Sequence, residues 1–199
     1  MTSHPAILAS FRLFGFLAVV LLFSACKKDV VPPAPRSTHL IDLEGVQASP
    51  GQAQLVDMDS DGSVDFVFET TQVADPVEKK TKLQYLVYST VGTYLCFDAN
   101  DRLPVLNNRE TLVRQRPGFE WGEVTGIVMT QRVTEEDGNR YWEGSWKDAA
   151  HKYLPVAVQK ESMFHMGWIE LSFDKENGRL TLHRAGLSLD AQPAITVGE

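Results

Sequence analysis

The clearest capacity for chemistry lies in the carboxylates of Asp57-Met58-Asp59-Ser60-Asp61-Gly62-Ser63-Val64-Asp65. Aspartates at close, regular spacing, with a glycine at the tightest point of the run, repel one another unless a cation sits among them. The order Asp57, Asp59, Asp61, Gly62, Ser63, Asp65 fits a calcium loop of the form Asp-x-Asp-x-Asp-Gly-x-x-Asp. In it alternate side chains turn inward, the glycine takes the bend and the carbonyl of Ser63 adds an oxygen. An EF-hand does not fit, because Phe68 stands where that motif needs a bidentate glutamate. Gln54-Leu55-Val56 before the loop and Val64-Asp65-Phe66-Val67-Phe68 after it alternate like strands. The expected cofactor is therefore structural Ca2+, held by Asp57, Asp59, Asp61, Ser63 and Asp65 as a clasp between adjacent strands.

Other residue types offer less. In Tyr141-Trp142-Glu143-Gly144-Ser145-Trp146, Trp142 and Trp146 fall on one face of an expected strand. Exposed, they would stack on sugar rings; buried, they are core. Glu120, Glu123, Glu143 and Glu170 would serve as a glycosidase acid and base only if the fold pairs two of them. His39, His151, His165 and His183 lack metal-ligand spacing and read as structural or surface residues. Gly-x-Ser-x-Gly elbows, phosphate loops and dinucleotide fingerprints are absent, so no catalytic residue is assigned. Cys96, within Thr93-Tyr94-Leu95-Cys96-Phe97, reads as a buried, inert thiol.

The elements that must position these residues begin with a leader. Residues 1–25 carry Arg12 as a positive flank and an apolar segment from Leu13 to Phe23, short for a bilayer span. Leu22-Phe23-Ser24-Ala25-Cys26 resembles the lipobox of bacterial lipoproteins, with Phe23 where that family more often has a smaller or aliphatic residue. The resemblance implies that Cys26 is acylated with palmitate-type chains and becomes the new N-terminus, so that the protein is lipid-anchored at the outer membrane of the cell envelope. Several acyl chains give the stable attachment that one alone does not. Residues 26–38 then form a charged, proline-rich tether, Lys27-Lys28-Asp29-Val30-Val31-Pro32-Pro33-Ala34-Pro35. With Cys26 lipidated, Cys96 has no disulfide partner.

Residues 39–199 read as one all-β domain, an antiparallel sandwich of jelly-roll type. Short apolar runs alternate with turns, and long helical periodicity is missing. Strands are expected over His39 to Leu43, Gln52 to Val56, Val64 to Thr70, Leu83 to Ser89, Thr93 to Phe97, Gly126 to Val133, Tyr141 to Trp146, Tyr153 to Val158, His165 to Phe173 and Arg179 to His183. Glu135-Glu136-Asp137-Gly138-Asn139 and Glu176-Asn177-Gly178 mark hairpins, the second placing Trp168, Leu171 and Phe173 opposite Leu180 and Leu182. Asp75 to Thr81 and Asn107 to Gly118 read as the longest loops, and the tail from Gln192 as frayed or an edge strand.

The stretch Val56 to Phe68 resembles the strand-loop-strand calcium site of FG-GAP (integrin-propeller-like) repeats, which implies Asp57, Asp59, Asp61 and Asp65 as ligands; no second copy occurs. Lys152-Tyr153-Leu154-Pro155-Val156 and His165-Met166-Gly167-Trp168-Ile169-Glu170-Leu171-Ser172 resemble segments of uncharacterised secreted β-proteins of Gram-negative bacteria, a likeness that brings no activity. A formal charge of −7, without a dense Lys/Arg block, argues against nucleic acid. The expected function is a membrane-anchored binding or interaction module with a glycan or an envelope protein as partner. The alternatives are a glycan-active hydrolase and a purely structural envelope protein. Cys26→Ala is expected to abolish metabolic labelling with a radioactive fatty acid; a label that persists in the variant would contradict the anchor.

Overall fold

The structure, a computed structural model, describes residues 37–199; the leader, Cys26 and most of the tether lie outside the described residues. The chain forms β1 (Thr38–Ala48), β2 (Gln54–Val56), β3 (Phe66–Asp75), β4 (Lys80–Ser89), β5 (Thr93–Asp98), β6 (Thr111–Val113), β7 (Phe119–Gly122), β8 (Ile127–Glu135), β9 (Arg140–Glu143), β10 (Lys152–Lys160), β11 (Met163–Asp174), β12 (Arg179–Ser188) and β13 (Ala194–Thr196). All are antiparallel. A six-stranded sheet has the order β1-β12-β11-β10-β5-β7, a five-stranded sheet the order β2-β3-β4-β8-β9, and β13 pairs with β6 in a two-stranded ribbon.

The expected sandwich is present. In β3, Phe66 and Phe68 are buried and the residues between and after them are not, the period-two signature of a sheet with one covered face. These side chains join Tyr85, Val87 and Met129 from the same sheet and Leu154, Val156, Ile169, Leu171 and Leu182 from the larger one in a single core. In β10 and β11 burial is nearly continuous. The reason is a third layer: Leu112 beneath β6 and Val197 after β13 pack with Leu106 on Tyr153, Met166 and Trp168, on the far face of the large sheet. Trp168 therefore belongs to this outer cluster, whereas Leu171 and Phe173 point into the sandwich opposite Leu182 and Leu180. The expected grouping of the three on one face fails because Trp168 lies an odd number of residues, three and five, from Leu171 and Phe173.

Pro155 lies inside β10, a position that normally excludes proline because a ladder donor is lost. The β5 ladder starts at Val156, and the next contact on that side is the bridge between Leu106 and Tyr153. Pro155 occupies the gap between them, where no donor is required.

Each expected strand has a counterpart; β13 is the edge strand offered as an alternative for the tail, and β6 and β7 are additional. The two expected loops shrink accordingly. Asp75 and Lys80 are cross-strand partners closing the β3–β4 hairpin, and residues 107–118 contain β6. Both marked hairpins form, between β8 and β9 and between β11 and β12. β9 ends at Glu143, three residues before the expected end. Gly144 there has φ +104°, and a Cβ on it would sit 2.6 Å from the Met129 carbonyl oxygen. The turn carries Trp146 into the core, where it is fully buried. Gly144→Ala combines a disfavoured φ with a backbone clash and is expected to cost about 2–4 kcal/mol, read as a loss of urea midpoint without change in slope.

Candidate functional site

The loop from Asp57 to Asp65 connects β2 to β3 at one end of the sandwich. Asp65 N–H donates to the Val56 carbonyl at 2.9 Å, closing its base. Met58 is fully buried in the core between the sheets, so the acidic loop is rooted by one apolar side chain. Gly62, at φ +90°, takes the bend as expected. Asp57 acts as the hub: Oδ1 accepts from Ser60 N–H at 2.7 Å and Asp59 N–H at 3.3 Å, and Oδ2 from Gly62 N–H at 2.9 Å. Burial alone would raise the Asp57 pKa, but the N–H groups of Gly62, Ser60, Asp59 and Asp61 outweigh it and hold the carboxyl below its ordinary value.

Asp57, Asp59 and Asp61 each offer an oxygen, and the three lie within 4.8 Å of one another. This donor set, hard oxygens alone, fits a metal ion. Ser63 donates its N–H to Asp61 Oδ1 at 2.7 Å and orients that carboxylate. Asp65 is placed differently from the expectation. It is not one of the three, and its Oδ2 instead accepts from Met58 N–H at 2.6 Å. Only 6% exposed, it is pushed up to about 6, first by burial, which the Met58 N–H opposes, and then by the charges of Asp59, Asp57 and Asp61. That residual repulsion is what a bound cation would relieve.

Contacts from the large sheet reach the loop. Lys160, at the end of β10, places Nζ 2.9 Å from Asp59 Oδ2, and His39 of β1 places Nε2 3.3 Å from Ser60 Oγ. His39, Asp59, Lys160 and His165 border a cavity of about 160 Å³ behind the loop. His165 Nδ1 bonds to the Ser188 carbonyl at 3.0 Å.

Two histidines, widely separated in sequence, meet in space. His151 and His183 stack at 4.3 Å between ring centroids. His151 Nδ1 bonds to Glu170 Oε1 at 2.7 Å, Arg184 Nε donates to Glu170 Oε2, and His183 Nε2 lies 2.8 Å from Ser172 Oγ. Glu170 is 6% exposed. Burial alone would raise the Glu170 pKa, but Arg184 and His151 prevail and lower it. Sequence reading missed this cluster because a register irregularity between β11 and β12, pairing Glu170 with Arg184 and then Leu171 with Leu182, leaves His183 as the extra residue.

Trp142 is partly buried against Tyr85 and Phe173, at 5.9 and 4.9 Å, and Trp146 is wholly buried. The two tryptophans therefore form no sugar platform; the strand ends before Trp146. Glu123 accepts from Gly92 N–H, Glu143 from Gln131 and Glu170 from Arg184. Among the described residues no two of the four candidate glutamates share a hydrogen-bond partner. Cys96 is buried as expected, and burial pushes its thiol up to about 12. Comparison with family models, with curated proteins and with solved structures finds no match, so function rests on the geometry.

Asp65→Asn keeps an oxygen for the Met58 N–H and removes a charge from an acidic, desolvated position. In chelator at pH 7 it is expected to stabilise the fold by about 1–2 kcal/mol, measured by urea titration; destabilisation would show that the Asp65 charge is compensated.

Proposed function

We propose that this chain is a lipid-anchored protein of the bacterial outer envelope whose β-sandwich is a binding or interaction module stabilised by calcium. The observation that carries the reading is the convergence of Asp57, Asp59 and Asp61 on a loop that contacts both sheets. Calcium suits it better than magnesium. Three carboxylates with room for carbonyl and water oxygens match the irregular six- to eight-oxygen shell of calcium, at about 2.3–2.6 Å, whereas magnesium demands a near-ideal octahedron at about 2.0–2.1 Å. The cluster has no thiolate or imidazole, which leaves softer metals without their preferred donors.

The ion would fix the β2–β3 connection, and through Asp59 and Lys160 the end of β10, in a domain whose one cysteine among the described residues is free. The lipobox-like segment and the proline-rich tether support placement at a membrane surface. A rigid sandwich held away from the bilayer presents loops and one sheet face to partners, which favours recognition over catalysis here.

The full chain in detergent is expected to melt several degrees higher in millimolar calcium than in chelator, since a ligand that binds only the folded state stabilises it by mass action. Asp59→Ala combined with Asp61→Ala should remove the shift. Identical melting in calcium and in chelator would contradict the clasp.

A further inference from the structure

The far face of the six-stranded sheet is divided in three. Its middle is covered by the β6–β13 ribbon, and one end carries the Glu170–His151–Arg184 cluster. The other end is an open depression of about 400 Å³ whose wall is aromatic. Phe164 of β11 is at its centre, with the Trp121 ring edge-on at 5.3 Å and the Tyr94 ring tilted at the same distance. Each ring is only half-buried. The Trp121 indole N–H is fixed by the Arg114 carbonyl at 2.9 Å, and the Tyr94 hydroxyl donates to Gln159 Oε1 at 2.7 Å.

The polar lining is one-sided. Gln159 uses its oxygen on Tyr94, which leaves its NH2 as a donor in the lining. Gln115 and Ser162 add an amide and a hydroxyl. Arg114 stands over the Phe164 ring with its guanidinium carbon 4.6 Å from the centroid and makes no ion pair among the described residues, in a chain of net charge −7. Among the described residues no carboxylate lines the depression. The hairpin at its rim is also strained: the β10–β11 ladder runs to Lys160 and Met163, leaving Glu161 and Ser162 as a two-residue loop at φ 47° and 68°. Asparagine and glycine normally supply such a turn. Strain of this kind persists where surrounding structure over-determines it, and it clusters at binding sites.

We propose that this depression binds an acidic saccharide of the uronate class. The apolar C–H face of the pyranose packs on the Trp121 and Tyr94 rings that flank Phe164, Arg114 over the Phe164 ring takes the carboxylate, and Gln115, Gln159 and Ser162 meet ring hydroxyls. One guanidinium matches a single carboxylate per sugar better than a polyphosphate. The open, hydroxyl- and amide-rimmed shape does not enclose a purely apolar ligand. This inference deepens the reading of the domain as a binding module and depends on it. It also moves the sugar platform from Trp142 and Trp146 to a site assembled from β5, β7, β10 and β11.

Titration calorimetry of the full chain with trigalacturonate and with its methyl ester tests the proposal, because the ester keeps the rings and loses the charge. Saturable binding of the acid, at least about tenfold weaker for the ester and for Arg114→Gln, is expected. Trp121→Ala should abolish the heat and any quenching of tryptophan fluorescence, since Trp146 and Trp168 are buried and Trp142 lies on β9 of the other sheet; unchanged melting of both variants would show that folding is intact. Equal binding of acid and ester, or no saturable heat with trigalacturonate and none with a hyaluronan hexasaccharide, would overturn it. If calcium-dependent melting survives that failure, the saccharide assignment alone falls; if binding survives without calcium dependence, the clasp alone falls.

Discussion

Three carboxylates held within 4.8 Å of one another at the end of the sandwich impose the constraint around which this part of the molecule is arranged. Two unit charges about 4 Å apart repel by roughly 4 kcal/mol at an effective dielectric near 20. Burying one methionine, worth about 1.5–3 kcal/mol, does not offset three such pairs. The chain compensates in layers. Backbone N–H groups of the loop turn toward Asp57, Ser63 N–H holds Asp61, and Lys160 reaches across from the large sheet to Asp59. Asp65, behind the loop and spent on Met58, has its pKa raised chiefly by burial and further by the charges of Asp59, Asp57 and Asp61. A divalent ion among the outer three carboxylates would complete the compensation that the protein groups begin.

The same loop ties the two sheets together. Met58 enters the shared core, while Thr93 of β5 donates its hydroxyl to the Asp65 carbonyl at 2.9 Å. One face of the large sheet is thus committed to the sandwich. The other is partly closed by the β6–β13 ribbon, which leaves the aromatic depression at one end and the His151–Glu170–Arg184–His183 cluster at the other. The loop that ties the sheets together and the proposed saccharide site thus lie on opposite sides of one sheet.

Period-two alternation and turn chemistry made most of the strands legible in the sequence, since β3, β4 and β8 each keep one apolar face. The two missed strands, β6 and β7, are three and four residues long, too short for alternation to register, and β6 pairs with β13 across more than 80 residues. Trp168 was assigned to the wrong face because a third layer makes both faces of β11 apolar, which erases the alternation that distinguishes them. In the acidic loop the spacing disclosed Asp57, Asp59 and Asp61. It could not show that Asp65 turns back to Met58, although a lone apolar residue within an acidic run was a signal that the loop is rooted there. The aromatic depression and the histidine pair were invisible because their members are contributed by separate strands and, for His183, by a register irregularity.

The central claim is that the loop is a calcium clasp and not merely an acidic turn neutralised by Lys160. Anomalous diffraction from crystals grown with calcium tests it most directly. The account requires one strong peak between Asp57, Asp59 and Asp61, with six to eight oxygens at about 2.3–2.6 Å. Finding only water there, with the Lys160 ammonium alone bridging to Asp59, would contradict it.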